Sequence, residues 1–289
     1  MSARLDYMTR WHFIPFLLLQ SACTTRRPAP VQHHGIAYVS GGHERQSGDL
    51  WLPQGEGPWP VIVMVHGGGW TRRDRSDMDS RADWFSRRGF AVFNINYRLA
   101  PEHRFPAQLN DMQSALKHLR VLAETHPLDL ERVGLYGYSA GGHLVLLAAT
   151  HPTAGAPPVR AVVAGGSPTD VSVYPRSPFL IALIGGTPEQ DPDAYFAASP
   201  RNFITADHPP TLLYHGTLDL LVERTQSRDY FRRLQQYGVR SRLMPRRLYG
   251  HLGTFQFDRP TRRAALRHFE TFMPAEEPSP DSGSHPPSP

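Results

Sequence analysis

A mainly parallel sheet covered by helices on both faces, an α/β fold, follows from two patterns in these 289 residues. Short, mostly apolar runs recur at Val61 to Val65, Phe90 to Tyr97, Arg132 to Tyr136, Val159 to Ala164 and Thr211 to Tyr214, as strands buried on both faces require. Segments of helical spacing lie between them, and alternation of this kind predicts strands joined by helical crossovers. Size agrees with one domain. A chain of this length buries most of its unfolded surface without disulfide or metal staples, and it holds one cysteine.

Taken from the start, Trp11 to Leu19 is largely apolar and is followed by Gln20-Ser21-Ala22-Cys23. The run is shorter than the roughly 20 residues of a membrane span and suits an export signal over residues 1–22. The cysteine at its end resembles a bacterial lipoprotein signal, which implies a lipid on Cys23 and an envelope or periplasmic location; a plain secretory signal or an uncleaved tail is the alternative. Residues 23–34 are polar and Pro-bearing and read as a disordered tether. The folded domain is expected over 35–273, and the Pro/Ser-rich stretch 274–289 reads as a second disordered tail.

Within the domain, Ile36 to Ser40 and Asp49 to Leu52 suit a leading antiparallel pair. Helices are expected at Asp77 to Arg88, from Pro106 through Ala123, at Ala140 to Thr150, at Glu223 to Tyr237 ended by Gly238, and at Thr261 to Met273. In the second of these, Leu109, Met112, Leu116, Leu119 and Ala123 recur on one face, and Pro106 suits a helix start because its missing N–H costs nothing there. The last strand is expected at Ser241 to Tyr249.

Charge excludes one class of partner. Lys plus Arg exceed Asp plus Glu by 31 − 26 = 5, with Lys117 the single lysine. The arginines are scattered rather than gathered with aromatics on one stripe, so nucleic acid is set aside.

Four chemically able segments each follow a predicted strand: His66-Gly67-Gly68-Gly69-Trp70, Gly137-Tyr138-Ser139-Ala140-Gly141, Gly216-Thr217-Leu218-Asp219 and Gly250-His251. Carboxyl ends of parallel strands share one edge, so these distant loops can converge there. The second is a G-x-S-x-G pattern between strand and helix, the nucleophile-elbow context, with Ser139 as nucleophile. A serine hydroxyl needs a base, and serine, acid, histidine is the chain order of such hydrolases, which selects His251 from 15 histidines. Asp219, 80 residues after Ser139, is the acid that holds the imidazole, with Asp170 the runner-up. Oxyanion donors are assigned to the backbone N–H groups of Gly68, Gly69 and Ala140.

These motifs resemble the α/β-hydrolase superfamily, and within it the branch of hormone-sensitive-lipase-like carboxylesterases and bacterial acetyl esterases. The match spans about Pro60 to His251 and includes Asn96 to Glu102, Phe105 to Ala107 and Asp111. It implies an α/β-hydrolase fold with a sheet of about eight strands, and structural rather than catalytic roles for Glu102 and Asp111. Tyr138 departs from the Asp usual at that elbow position in the hormone-sensitive-lipase-like members and is closer to small secreted acyl esterases and kynurenine-formamidase-like enzymes.

The expected activity is serine carboxylesterase action on short-chain, small-molecule esters through an acyl-enzyme. An aryl formamidase or amidase is the runner-up, and an inactive hydrolase-fold binding protein is the reading from another class. No metal or organic cofactor is implied: there is no H-E-x-x-H, paired-cysteine site or dinucleotide glycine fingerprint. Residues 171–203 precede the Asp219 strand as an insertion, and Phe179 to Ile184 within it suits either a cap over the site or a helix completing the core.

Overall fold

The computed structural model describes residues 27–274. In chain order these form β1 (Val31–Ala37), β2 (Ser47–Leu52), β3 (Trp59–Val65), α1 (Asp79–Ser86), β4 (Ala91–Ile95), α2 (Ala107–Ala123), β5 (Leu128–Tyr138), α3 (Ala140–Thr150) and β6 (Val159–Gly165). There follow α4 (Pro178–Ile184), α5 (Pro192–Ala197), β7 (Thr211–Gly216), α6 (Thr225–Gln236), β8 (Ser241–Arg246), α7 (His251–Gln256) and α8 (Arg259–Phe272). The strands make one eight-stranded sheet in the order β1-β2-β4-β3-β5-β6-β7-β8. Strands β3 to β8 run parallel, while β2 is antiparallel to both β1 and β4.

The apolar runs are buried strands because consecutive side chains serve opposite faces. Val61, Val63 and Val65 of β3 join one core with Leu116, Leu119, Leu144 and Leu147 of α2 and α3. Ile62 and Met64 join the other, with Phe85 of α1 and Ala265 and Phe269 of α8. The helical stripe of α2 buries Leu109, Met112, Leu116 and Leu119. No helix among the described residues is long and apolar enough to cross a membrane.

Three expectations shift. β1 begins at Val31, inside residues 23–34 that read as a disordered tether. Its side chains are mostly exposed, and pairing of Val31, Gln32 and His33 with Leu52, Trp51 and Leu50 of β2 holds it, so no hydrophobic signal marked it. The helix expected from Asp77 is a 3₁₀ turn (Arg75–Met78) running into α1. The last strand ends at Arg246 rather than Tyr249, because a turn with Leu248 at φ 64° intervenes before α7. Residues 1–22, Cys23 and the tail from 275 lie outside the described residues.

Candidate active site

The strand-to-helix turn at Ser139 carries the strain expected of an elbow. Ser139 sits between β5 and α3 at φ 55°, ψ −121°, a conformation that costs an L-residue of order 1–3 kcal/mol and persists only when its surroundings enforce it. Here the Ser139 N–H donates to the Gly165 carbonyl of β6 at 2.7 Å. Gly141 lets α3 start directly under β3: a Cβ there would overlap the carbonyls of Val65 and His66. The turn is thereby fixed from two sides.

His251, the first residue of α7, faces this serine. Its Nε2 lies 2.9 Å from Ser139 Oγ, and its Nδ1 lies 2.7 Å from Asp219 Oδ2. An ionised carboxylate only accepts, so Nδ1–H donates to it and Nε2 keeps the lone pair that receives the serine proton. The acid is as firmly held. Asp219 Oδ1 accepts the N–H groups of Leu221 (3.0 Å) and Val222 (2.9 Å) in the turn after β7. Burial pushes this carboxyl up, but the bonds from His215, His251 and the Val222 N–H outweigh it and hold the group well below the ordinary carboxylate range.

Two supporting residues were not assigned from the sequence. His215 lies buried on β7, 3.3 Å from Asp219 Oδ2 through Nε2. That nitrogen also donates to the Val222 carbonyl (2.8 Å), and Nδ1 accepts from Ser227 Oγ (2.6 Å), so the ring is fixed in the Nε2–H tautomer. Its i, i+4 spacing from Asp219 was the available signal. Tyr138, noted only as a departure at the elbow, donates its hydroxyl to the His251 main-chain carbonyl at 2.6 Å, and its ring centre lies 5.1 Å from the imidazole. Burial pushes the phenol up, which keeps the O–H a donor.

Facing the elbow, the Gly67 to Trp70 loop turns through positive φ at Gly68 (111°), Gly69 (62°) and Trp70 (60°). Gly68 has no room for a side chain, because a Cβ would overlap the Arg72 carbonyl. The Gly67 carbonyl accepts from His66 Nδ1–H at 2.6 Å and from the Tyr97 hydroxyl at 3.3 Å. In a trans peptide the N–H opposes the carbonyl, so this pair of bonds sets the direction of the Gly68 N–H. Burial pushes His66 down to about 3, leaving it neutral. Trp70 Nε1–H donates to His143 Nδ1 (3.2 Å), and His143 Nε2–H donates to the Ala198 carbonyl (2.7 Å), which ties the loop to the insertion. His143 is thus a core residue of α3.

Gly67, Gly68, Gly69, Ser139, Ala140 and His251 all line one cavity of about 590 Å³ at the carboxyl edge of the sheet, where the four loops meet. Asp219 lies behind His251. Of the two roles considered for the insertion, completing the core is the one seen: Leu180, Leu183 and Ile184 of α4 enter it, and the Phe179 ring packs against Gly69 at the cavity wall. Asp170 is occupied elsewhere, paired with Arg201 at 2.5 Å and capping the turn at Ser172. Asp111 is buried against Arg98 and Gln46, and Glu102 is exposed; neither lines the cavity. Donor atoms of His43, Glu102 and His103 lie within 4.8 Å of one another, close enough for one metal ion, and none of the three lines the cavity either. The arrangement can hold a nucleophilic hydroxyl, an imidazole base and an ionised partner beside a volume suited to a small ligand.

Comparison with known proteins gives the family and the fold. The BD-FAE family model matches residues 49–234. Esterase LipC of Mycobacterium tuberculosis (strain ATCC 25618 / H37Rv) is 29% identical over 198 residues, covering 62% of this chain and 49% of that protein. Among solved structures, an acetyl ester-xyloside bifunctional hydrolase from Caldicellulosiruptor lactoaceticus superposes with a TM-score of 0.70 at 25% identity, covering 78% of this chain and 88% of that one. A bacterial heroin esterase superposes with a TM-score of 0.71 at 26% identity, covering 85% and 84%. The chain spans about half the length of the curated relatives it matches.

Proposed function

We infer the chemistry from one premise: the chain belongs to the BD-FAE family, among the α/β-hydrolase esterases. We propose that it is a serine carboxylesterase acting on small-molecule esters of short acyl groups. The observation that carries this is the unbroken relay from Asp219 through His251 to Ser139, opening onto the cavity.

In this reading Ser139 Oγ attacks the ester carbonyl as its proton passes to His251 Nε2, and Asp219 stabilises the imidazolium that forms. The carbonyl oxygen becomes an oxyanion held by the N–H groups of Gly68, Gly69 and Ala140. Collapse expels the alcohol, which takes the proton from His251 and leaves an acyl-serine. Water then attacks the acyl carbon with His251 again as base, releasing the carboxylic acid and restoring Ser139. The Phe179 ring against Gly69 bounds the space beside the serine, which favours a short acyl chain, and the acetyl ester named for one structural neighbour is of that class.

Hydrolysis of p-nitrophenyl acetate tests the reading. Native protein is expected to exceed Ser139→Ala by at least about 10⁴-fold in kcat, and equal rates would overturn it. Acetyl ester is expected to be cleaved faster than octanoyl ester and than an aryl formamide; faster octanoyl turnover contradicts the short-chain claim. We further propose export with a lipid on Cys23, tested by mass measurement of the mature N-terminus.

A further inference from the structure

One side chain from outside the loop that faces the elbow holds that loop at both ends. Arg45 lies in the connection between β1 and β2, and its guanidinium reaches three acceptors around the loop. Its Nε–H donates to the Tyr97 carbonyl at 2.9 Å, while Nη2 donates to the Arg73 carbonyl at 2.7 Å and to His66 Nε2 at 3.3 Å. His66 precedes the three glycines and Arg73 follows them, so a single fork spans the segment. Arg45 itself does not line the cavity.

The contact with His66 does more than pack two side chains together. A guanidinium only donates, so Nε2 of His66 must be the accepting nitrogen. His66 is buried and neutral, and a neutral imidazole has one N–H, which is thereby placed on Nδ1. This is the N–H that donates to the Gly67 carbonyl at 2.6 Å. In the opposite tautomer a lone pair on Nδ1 would face that carbonyl and Nε2–H would face the guanidinium, two repulsive contacts that turning the Gly67-Gly68 peptide would relieve. The Gly68 N–H would turn with it. The second partner of the Gly67 carbonyl, the Tyr97 hydroxyl, belongs to a ring that stacks on His66 with centres 4.4 Å apart and planes 10° apart. Arg45 holds the main chain of that tyrosine too, so it fixes both partners of the carbonyl.

We propose that Arg45 is a positioning residue for the oxyanion hole: by holding His66 in its Nδ1–H tautomer, it aims the Gly68 N–H at the carbonyl oxygen under attack. The role of that N–H is taken from the serine-esterase reading, and Arg45 adds to it a support that never touches substrate.

Hydrolysis of p-nitrophenyl acetate by Arg45→Met and Arg45→Lys, together with histidine tautomers read by 15N NMR of the full chain, tests the assignment. Native His66 is expected as the Nδ1–H tautomer, and finding it as Nε2–H overturns the proposal whatever the activity. Arg45→Met keeps most of the bulk and removes every donor. Because the oxyanion forms only on the way to the transition state, kcat and kcat/KM are expected to fall together by about 10- to 100-fold. Arg45→Lys returns one donor without the fork, and is expected to stay within about fivefold of native. Native kcat in Arg45→Met, or a loss carried by KM alone, overturns the proposal. So does an equal loss in both variants accompanied by an equal fall in Tm, which marks a purely structural role. The Ser139→Ala control separates the two levels of the reading. If native protein is no faster than Ser139→Ala, the esterase reading fails and the proposal with it; if native protein alone turns over and Arg45→Met matches it, only the proposal fails.

Discussion

Asp219 is placed where one substitution separates electrostatics from shape. Asp219→Asn keeps the volume but removes the charge and allows the wrong histidine tautomer, so kcat toward p-nitrophenyl acetate is expected to fall by about 10³ to 10⁴-fold. The same residue sets a pH signature. Its folded carboxyl is held below the ordinary range, so the unfolded chain binds the proton more readily, and this group's contribution to stability is complete above the unfolded value of about 3.9 and is lost as pH falls below it. The difference in melting temperature between native protein and Asp219→Asn, followed from pH 6 downward, is therefore expected to move against the native protein only below about pH 4. A difference independent of pH there would contradict the assignment. Tyr138→Phe removes one hydroxyl from the His251 carbonyl, and a loss of about three- to tenfold in kcat, with the fold intact, corresponds to one hydrogen bond. Ser139 and His251 were legible in the sequence because elbow spacing and chain order are local signs. His215 and Tyr138 were not, because their roles rest on partners on other strands and turns, His215 reaching Asp219 across a turn and Tyr138 reaching α7 from β5.

Close approach governs the elements around the elbow. Gly141 brings α3 against the end of β3 with no space for a methyl group. Gly141→Ala is expected to cost about 1–3 kcal/mol as overpacking and to lower Tm by a few to about 10 °C, with a far larger fractional loss of activity as Ser139 is displaced. Retention of native turnover in that variant would show the elbow to be tolerant. The same elements explain what the sequence hid. β3, β5 and β6 declared themselves because both of their faces are buried, whereas β1 is held by main-chain pairing with mostly exposed side chains and looks polar. Hydrogen exchange is expected to reflect this, with β1 amides exchanging well before those of β3; equal protection would mean that β1 opens only with the whole domain. The turn at Leu248, at φ 64°, was hidden for a different reason: a non-glycine residue in that region gives no compositional warning.

At the scale of the molecule, a parallel sheet delivers segments near residues 67, 139, 219 and 251 to one edge, and that convergence turns four ordinary loops into a site. The fold was readable because alternating apolar runs and helical stripes repeat along the whole chain. In the proposed chemistry Ser139 Oγ is the nucleophile and His251 activates it. Rapid quenching of the protein during turnover of p-nitrophenyl acetate, followed by peptide mass analysis, tests it most directly. One acetyl group on the peptide bearing Ser139, absent in His251→Ala, is the expected result; turnover with no acyl group on that peptide, or acetylation that persists unchanged without His251, would contradict it.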